Sequence, residues 1–212
     1  ANLLAKQFAR NGAAHVIVTC ERGEDVAEKL SMGGRFDRVL ADVPCSGDGT
    51  LRKQPELWRK WREEKGALLQ PLQLRLAKAA VLATKVGGLA VYSTCALNPL
   101  EDEAVVTALL RSARPAGALE LVDAAATAMP RFARRPGLVE WWERPAPGAA
   151  SSDGSGFVRV VAPVTLHLER CMRVLPHDGD TGGFFVAVLR KTAKCSFAAP
   201  AAHSDARAAS EA

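Results

Sequence analysis

The 212-residue sequence contains no Cys-x-x-Cys pair, no internal repeat and no apolar run approaching the roughly 20 residues of a spanning helix. Its five cysteines, at positions 20, 45, 95, 171 and 195, form an odd and scattered set. Such a set is not a disulfide framework. His15, His167, His177 and His203 show no pairing at ligand spacing either, so no metal site is expected and the thiols are expected to be reduced. No charged start followed by an apolar block reads as a secretory signal, and no membrane is expected as a partner. With 48% hydrophobic and 24% charged residues, the composition is that of one ordinary globular domain. Lys and Arg number 28 against 23 Asp and Glu, a balance of +5 that suits a polyanionic partner without selecting one.

What is present is an alternation of short β-branched runs and longer helical stretches. The segment from Ala1 to Arg10 already has helical spacing (Leu3, Leu4, Gln7, Phe8), so the chain is expected to begin inside a structural element, as a fragment would. His15-Val-Ile-Val-Thr19 is predicted to be a buried parallel strand, followed by strands at Arg38–Asp42, Leu89–Ser93, Glu120–Asp123 and Gly183–Leu189. Between them, Leu68, Leu72, Leu76, Ala79 and Val86 predict a helix that Gly87-Gly88 stops. Asn98-Pro99-Leu100-Glu101 reads as an N-cap, a first-turn proline and a capping glutamate, opening a helix that carries Val105, Val106, Leu109 and Leu110 on one face and ends near Arg111. Ser46 to Gly66 is irregular, and Pro145–Gly156 reads as a loop. Residues 1–191 are expected to form the domain and 192–212 an Ala-rich flexible tail. The class is α/β, with an open, mostly parallel sheet.

Sheets of this kind bind ligands beyond the carboxyl ends of their strands. Two segments lie there: Asp42-Val-Pro-Cys-Ser-Gly-Asp-Gly-Thr50 and Ser93-Thr-Cys-Ala96. Cys45 and Cys95 therefore point toward one crevice. Thiols of this kind serve as nucleophiles when cations or amide donors favour the thiolate, and Arg52 and Lys53 lie close in sequence. Two other readings stand beside this one. Both cysteines also suit small buried packing positions, and a Cys-His-Asp hydrolase with His177 as base is conceivable. The strand, Gly-rich turn and ribose acid that usually open a nucleotide-binding sheet do not precede the first strand.

The segments Asp42-Val-Pro-Cys-Ser-Gly-Asp-Gly-Thr-Leu-Arg-Lys53, Tyr92-Ser-Thr-Cys-Ala-Leu-Asn-Pro-Leu-Glu-Asp-Glu-Ala104, Leu168-Glu-Arg-Cys-Met-Arg-Val-Leu-Pro-His177 and Thr181-Gly-Gly-Phe-Phe-Val-Ala-Val-Leu189 resemble the Sun family of RNA 5-methylcytosine methyltransferases, its eukaryotic tRNA-modifying branch in particular. The resemblance runs over nearly all of residues 1–191. It implies a Rossmann-like methyltransferase sheet, truncated at its N-terminal side, with S-adenosyl-L-methionine as cofactor and RNA, specifically tRNA, as partner. It further implies that Cys95 attacks carbon 6 of cytosine, making carbon 5 nucleophilic toward the methyl sulfonium. Cys45 then assists release, and Asp42 hydrogen-bonds ring nitrogen 3. Glu21, where the family usually has Asp, matches the acidic contact to the cofactor; Asp42 and Pro44 complete the cofactor set. A nuclear location follows from the branch, and no obligate protein partner is inferred. The alternative is a catalytically inactive RNA-binding or scaffold piece of the same fold.

Leu51 to Arg62 interleaves Trp58 and Trp61 with Arg52, Lys53, Arg59, Lys60 and Arg62. Cations and aromatic faces are what single-stranded RNA binding uses, so Arg52, Lys53, Arg59 and Arg62 are the candidate RNA contacts. Both tryptophans are expected to pack inward at i,i+3. Arg131, Arg134 and Arg135 read as solvated surface, Trp141 and Trp142 as core or edge packing, and Pro176-His177 as a turn.

Overall fold

The computed structural model describes residues 2–13, 15–26, 34–124, 131–144 and 156–197. A mixed sheet organises them. β1 (Phe36–Asp42) runs parallel to β2 (Thr84–Thr94), with Leu40 opposite Val91 and Asp42 opposite Ser93. On its other edge β2 pairs antiparallel with β9 (Phe184–Lys191), Thr94 facing Phe185. The far edge of β9 is shared: β8 (Met172–Val174) lies along its first half and β4 (Leu119–Leu121) along its last, with β5 (Arg135–Pro136) outside β8. Two small ladders flank the sheet, β3 (Ala113–Arg114) with β10 (Ser196–Phe197) and β6 (Glu140–Glu143) with β7 (Val158–Val161). The helices are α1 (Asn2–Arg10), α2 (Leu57–Lys60), α3 (Glu63–Ala83), α4 (Glu103–Ser112) and α5 (Pro176–Gly179).

α3 packs on β1 and β2 and against α4. The core they enclose includes Ala77, Val81, Tyr92, Val105, Val106 and Leu109, joined by Phe185 and Leu189 from β9. Tyr92 and Phe185 meet edge to face with ring centroids 6.3 Å apart, an arrangement worth about 0.5–1.5 kcal/mol beyond area burial. The helix is closed by a buried cation. Lys191 Nζ donates to the carbonyls of Val81 (3.0 Å) and Thr84 (2.7 Å), where the helix dipole favours positive charge. Burial lowers the Lys191 pKa.

The alternation of strands and helices is as the sequence predicts, but pairing sense and boundaries differ. Among the described strands only β1 and β2 are parallel, so the sheet is mixed rather than mostly parallel. His15–Thr19 forms no strand. Its run is exposed, Ile17 at 88%, because β propensity without a neighbouring ladder leaves the backbone nothing to pair with. The helix predicted from Leu68 begins at Glu63 and ends at Ala83, four residues before Gly87, where Thr84 turns extended and its hydroxyl bonds the Ala80 carbonyl at 2.8 Å. Leu68 is consequently not a core residue (80% exposed), and Val86 belongs to β2. The expected tail stays structured through β10, while residues 198–212 and most of the Pro145–Gly156 loop lie outside the described residues.

The largest departure concerns the predicted cap at Asn98. α4 starts only at Glu103, and Asn98 Oδ1 accepts from the Leu100 amide within the preceding turn. Glu101, Asp102 and Glu103 then enter the interior in succession, all at 0% exposure. Arg173 on β8 meets two of them: its Nε donates to Glu103 Oε1 at 2.7 Å, its Nη2 to Glu103 Oε2, and Nη2 lies 3.4 Å from Asp102 Oδ2. Arg173 Nη1 also donates to the Leu97 carbonyl at 2.9 Å, and the guanidinium rests 5.7 Å from the Phe185 ring centre. Removing one partner of such a pair leaves buried charge uncompensated, at about 3–5 kcal/mol. Arg173→Met is expected to lower the melting temperature by about 6–20 °C, read by calorimetry, given roughly 2–4 °C per kcal/mol at this chain size. A loss below about 2 °C would show that the cluster is neutralised by other means.

Candidate active site

Because β1 and β2 are parallel and Asp42 lies opposite Ser93, the segments leaving both strands emerge at the same end of the sheet. The turn through Pro44 brings the Cys45 Sγ to 3.1 Å from the Cys95 Sγ. Asp42 sits at the lip of this site, its Oδ1 accepting from the Ser93 hydroxyl at 3.0 Å. A backbone crossing locks the loops together. Gly49 N–H donates to the Cys95 carbonyl (3.0 Å), and Gly183 N–H, just before β9, donates to the Gly49 carbonyl (2.7 Å). A Cβ at Gly49 would stand 2.6 Å from the Cys95 oxygen and 2.7 Å from that of Gly183, so only glycine permits the approach. Asp48 Oδ1 adds a bond from the Leu97 amide at 2.7 Å.

The Cys45 loop is also held from below. Ser46 donates to Glu101 through both its amide (2.7 Å to Oε1) and its hydroxyl (2.5 Å to Oε2), and Trp61 Nε1 donates to that hydroxyl oxygen at 3.1 Å. Gln73 Nε2 serves two acceptors, the Pro44 carbonyl at 2.9 Å and Glu101 Oε1 at 3.0 Å. Its Oε1 is left buried with no partner among the described residues. A bare buried carbonyl costs roughly 1–3 kcal/mol, so this amide is oriented by the Cys45 loop rather than by its own satisfaction.

The two thiols differ in proton affinity. The Cys95 pKa is lowered to about 7, first because the Cys45 thiol donates to it, with burial opposing. That of Cys45 is pushed up by the reciprocal interaction, burial adding to it. The pair therefore gives up its first proton near neutral pH and keeps the second. Burial also raises Asp48, and raises Asp102 well above the usual carboxylate range, Glu103 adding and Arg173 opposing.

One cavity opens on Cys95 and another on Asp42. The first, of about 430 Å³, has Cys95, Gly49, Lys53, Phe132 and Phe184 on its walls. The second, of about 280 Å³, is lined by Asp42, Val39, Leu76, Ala80 and Gly23.

The family model described as 16S rRNA methyltransferase RsmB/F matches residues 1–190. The chain belongs to this family. The resemblance carried by the two cysteine motifs is thereby borne out. The chain is 46% identical over 171 residues to the multisite-specific tRNA:(cytosine-C(5))-methyltransferase trm4b of Schizosaccharomyces pombe, a match covering 74% of this chain and 24% of that protein. It is 42% identical over 182 residues to the tRNA (cytosine(34)-C(5))-methyltransferase of Drosophila melanogaster, covering 77% and 24%. It thus spans about a quarter of the length of these relatives. A solved methyltransferase homolog protein from Pyrococcus horikoshii superposes with a TM-score of 0.64 at 25% identity, over 90% of this chain and 49% of that one.

Within this RsmB/F-family chain the structure brings Cys45, Cys95, Asp42 and Pro44 together and adds Lys53 on the Cys95 cavity. Glu21 is exposed, two residues before the Gly23 that lines the Asp42 cavity. Arg52 bonds the Thr181 carbonyl and pairs with Asp180 at 2.7 Å. Arg59 is exposed, and Arg62 is turned onto the carbonyls of Arg59 and Trp61. Trp61 packs inward as expected, but Trp58 does not. α2 is a single turn, too short to present an i,i+3 stripe, and Trp58 stands 73% exposed among the basic residues. Trp141 is core, whereas Trp142 is exposed on β6. Arg135 pairs with Asp178, and Pro176-His177 opens α5. Sequence reasoning missed Glu101 as a site residue, having read it as a cap, and missed Gln73 and Arg173. A glutamine among apolar positions of a helix was the one signal available for Gln73.

Alkylation tests the thiol pair directly. Iodoacetamide reacts with the thiolate, so the Cys95 rate is expected to rise with pH through a midpoint at about 7. In Cys45→Ala the donor is gone and the midpoint is expected to move up toward the ordinary thiol value of about 8.5. Mass-spectrometric labelling at residue 95 reads both, and an unmoved midpoint would show that Cys45 does not set the Cys95 charge.

Proposed function

We propose that this chain is the catalytic region of an S-adenosylmethionine-dependent RNA cytosine-5 methyltransferase acting on tRNA. The observation that carries the reading is the 3.1 Å pair of unequal thiols beside Asp42, in a chain of the RsmB/F family. An inactive RNA-binding piece has no need of a thiolate kept beside a protonated partner. A hydrolase is disfavoured because the His177 imidazole reaches Asp178 at 3.6 Å and bonds neither thiol.

The residues present fit the cofactor. A slot of about 280 Å³ walled by Val39, Leu76 and Ala80 and bearing the Asp42 carboxyl suits a flat adenine ring and a sulfonium cation; Asp42 would hold the cofactor there, with Pro44 next to the Val43 of its wall and Glu21 two residues before its Gly23. When bound, S-adenosylmethionine supplies the electrophilic methyl group. The chain does the rest. Cys95 Sγ, its pKa lowered to about 7, attacks as thiolate and forms a bond to carbon 6 of a cytosine entering the 430 Å³ cavity. The carbon 5–carbon 6 π electrons shift toward ring nitrogen 3, where Asp42 provides the hydrogen bond. After carbon 5 has been methylated, its proton passes to a solvent water, the carbon 5–hydrogen electron pair re-forms the double bond, and the carbon 6–sulfur bond breaks with its electron pair returning to Cys95 Sγ. Cys45, held protonated, donates to that departing sulfur and so lowers the barrier to release.

Trp58, exposed between Arg59 and the Arg52-Lys53 pair, offers a base-stacking face with phosphate partners around it. A nuclear location follows from resemblance to the eukaryotic tRNA-modifying branch.

In the intact enzyme, Cys95→Ala is expected to abolish both methylation and covalent RNA capture. Cys45→Ala is expected to accumulate a denaturant-resistant adduct on unmodified tRNA. A denaturing gel of both variants decides; adduct from Cys95→Ala and none from Cys45→Ala would reverse the roles. Neutralising Arg52, Lys53, Arg59 and Arg62 should flatten the log–log salt dependence of tRNA affinity by about 0.7 for each phosphate that the chain no longer neutralises. An unchanged slope would leave them a solvated face.

A further inference from the structure

Cys45 is held by the peptide groups on either side of it and Cys95 by the one that follows it, and the two sets of holds end on adjacent acids. Around Cys45, the Pro44 carbonyl is taken by Gln73 and the Ser46 amide by Glu101, while Gln73 and Glu101 bond one another. Around Cys95, the Ala96 amide donates to Thr94 Oγ1 at 3.1 Å, and that hydroxyl donates to Asp102 Oδ1 at 2.7 Å. Both acids are fully buried and touch no solvent-facing part of the site. The turn that carries them is fixed in its own right. Tyr92 OH donates to the Glu101 carbonyl at 2.5 Å, and the amides of Glu101 and Asp102 bond the carbonyls of Asn98 and Pro99. A cysteine side chain has a single rotatable bond before its sulfur. Orienting the flanking peptides therefore orients the thiol.

We propose that Glu101 and Asp102 are positioning residues that divide the two half-reactions, Glu101 aiming the Cys45 thiol for release and Asp102 aiming the Cys95 thiol for attack. The inference rests on the thiol roles proposed above. It explains why two neighbouring carboxylates are buried where only one of them, Asp102, lies near the Arg173 guanidinium. Glu101 instead takes three neutral donors, all from the brace around Cys45: the Ser46 amide, the Ser46 hydroxyl and the Gln73 amide.

Single-turnover kinetics with S-adenosylmethionine and unmodified tRNA, in the intact enzyme, separate adduct formation from adduct decay. Glu101→Gln keeps the shape but sets a donor against the Ser46 hydroxyl, and Gln73→Leu frees the Pro44 carbonyl and takes one donor from Glu101. Both are expected to slow decay roughly 10- to 100-fold while formation stays within about twofold, the scale of a misplaced reacting group. Asp102→Asn and the milder Thr94→Val are expected to slow formation on that scale, with decay unchanged and no adduct accumulating. Variants that scale formation and decay by one common factor, with reduced melting temperature, would show merely structural acids and overturn the proposal. Persistent adduct in Cys45→Ala but in neither Glu101→Gln nor Gln73→Leu would overturn it alone. No persistent adduct in Cys45→Ala would remove the release role itself, and the proposal with it.

Discussion

Burying Glu101, Asp102 and Glu103 in a row, against one arginine, is the constraint on which the rest of this architecture turns. An isolated carboxylate taken out of water costs far more than one contact returns, so each of the three needs its own solution. Glu103 takes the fork of Arg173, which ties α4 to β8. Asp102 takes the Thr94 hydroxyl and shares the edge of the guanidinium, and burial favours its neutral form. Glu101 is met by neutral donors from the first cysteine loop and from α3. One short turn is in this way bonded to α3, to both cysteine loops and to the far side of the sheet. A site assembled from segments that are distant in sequence acquires a common anchor.

The element pattern was readable where burial follows periodicity and not where ladders or capping decide. Val105, Val106 and Leu109 recur at helical spacing and are all in the core, and the apolar runs at residues 89–93 and 183–189 are β2 and β9. His15–Thr19 has the same composition but no partner ladder among the described residues, and strand formation is a property of pairs. The sense of pairing was equally hidden, since a fully buried run such as Phe184–Leu189 looks alike in parallel and antiparallel company. Glu101 was misread for a comparable reason. A glutamate after Asn-Pro-Leu has the spacing of a cap, and only the long-range arrival of Ser46 and Gln73 shows that its partners lie elsewhere.

The reactive pair itself was legible, because the parallel register of two strands forces the residues beyond their ends to meet. Spacing could not reveal that the thiols would differ in proton affinity; that comes from their mutual hydrogen bond and unequal surroundings. Trp58 shows the opposite limit. Helical spacing suggested burial, yet a helix of one turn has no continuous face to bury, and the ring is left beside the cations.

The contact between Gly49 and Gly183 also bears on how this chain can change. A Cβ at Gly183 would lie 2.7 Å from the Gly49 Cα, and one at Gly49 meets the Gly183 carbonyl at the same distance. Larger residues in most cores can be offset by shrinking a neighbour, which makes their substitutions epistatic and reversible. Here both partners are already the smallest residue available, so no second-site replacement across the crossing restores the fit. Variation at these two positions is closed in both directions, and divergence of this site is channelled into its walls, such as Phe132 and Lys53, where side chains have room to exchange.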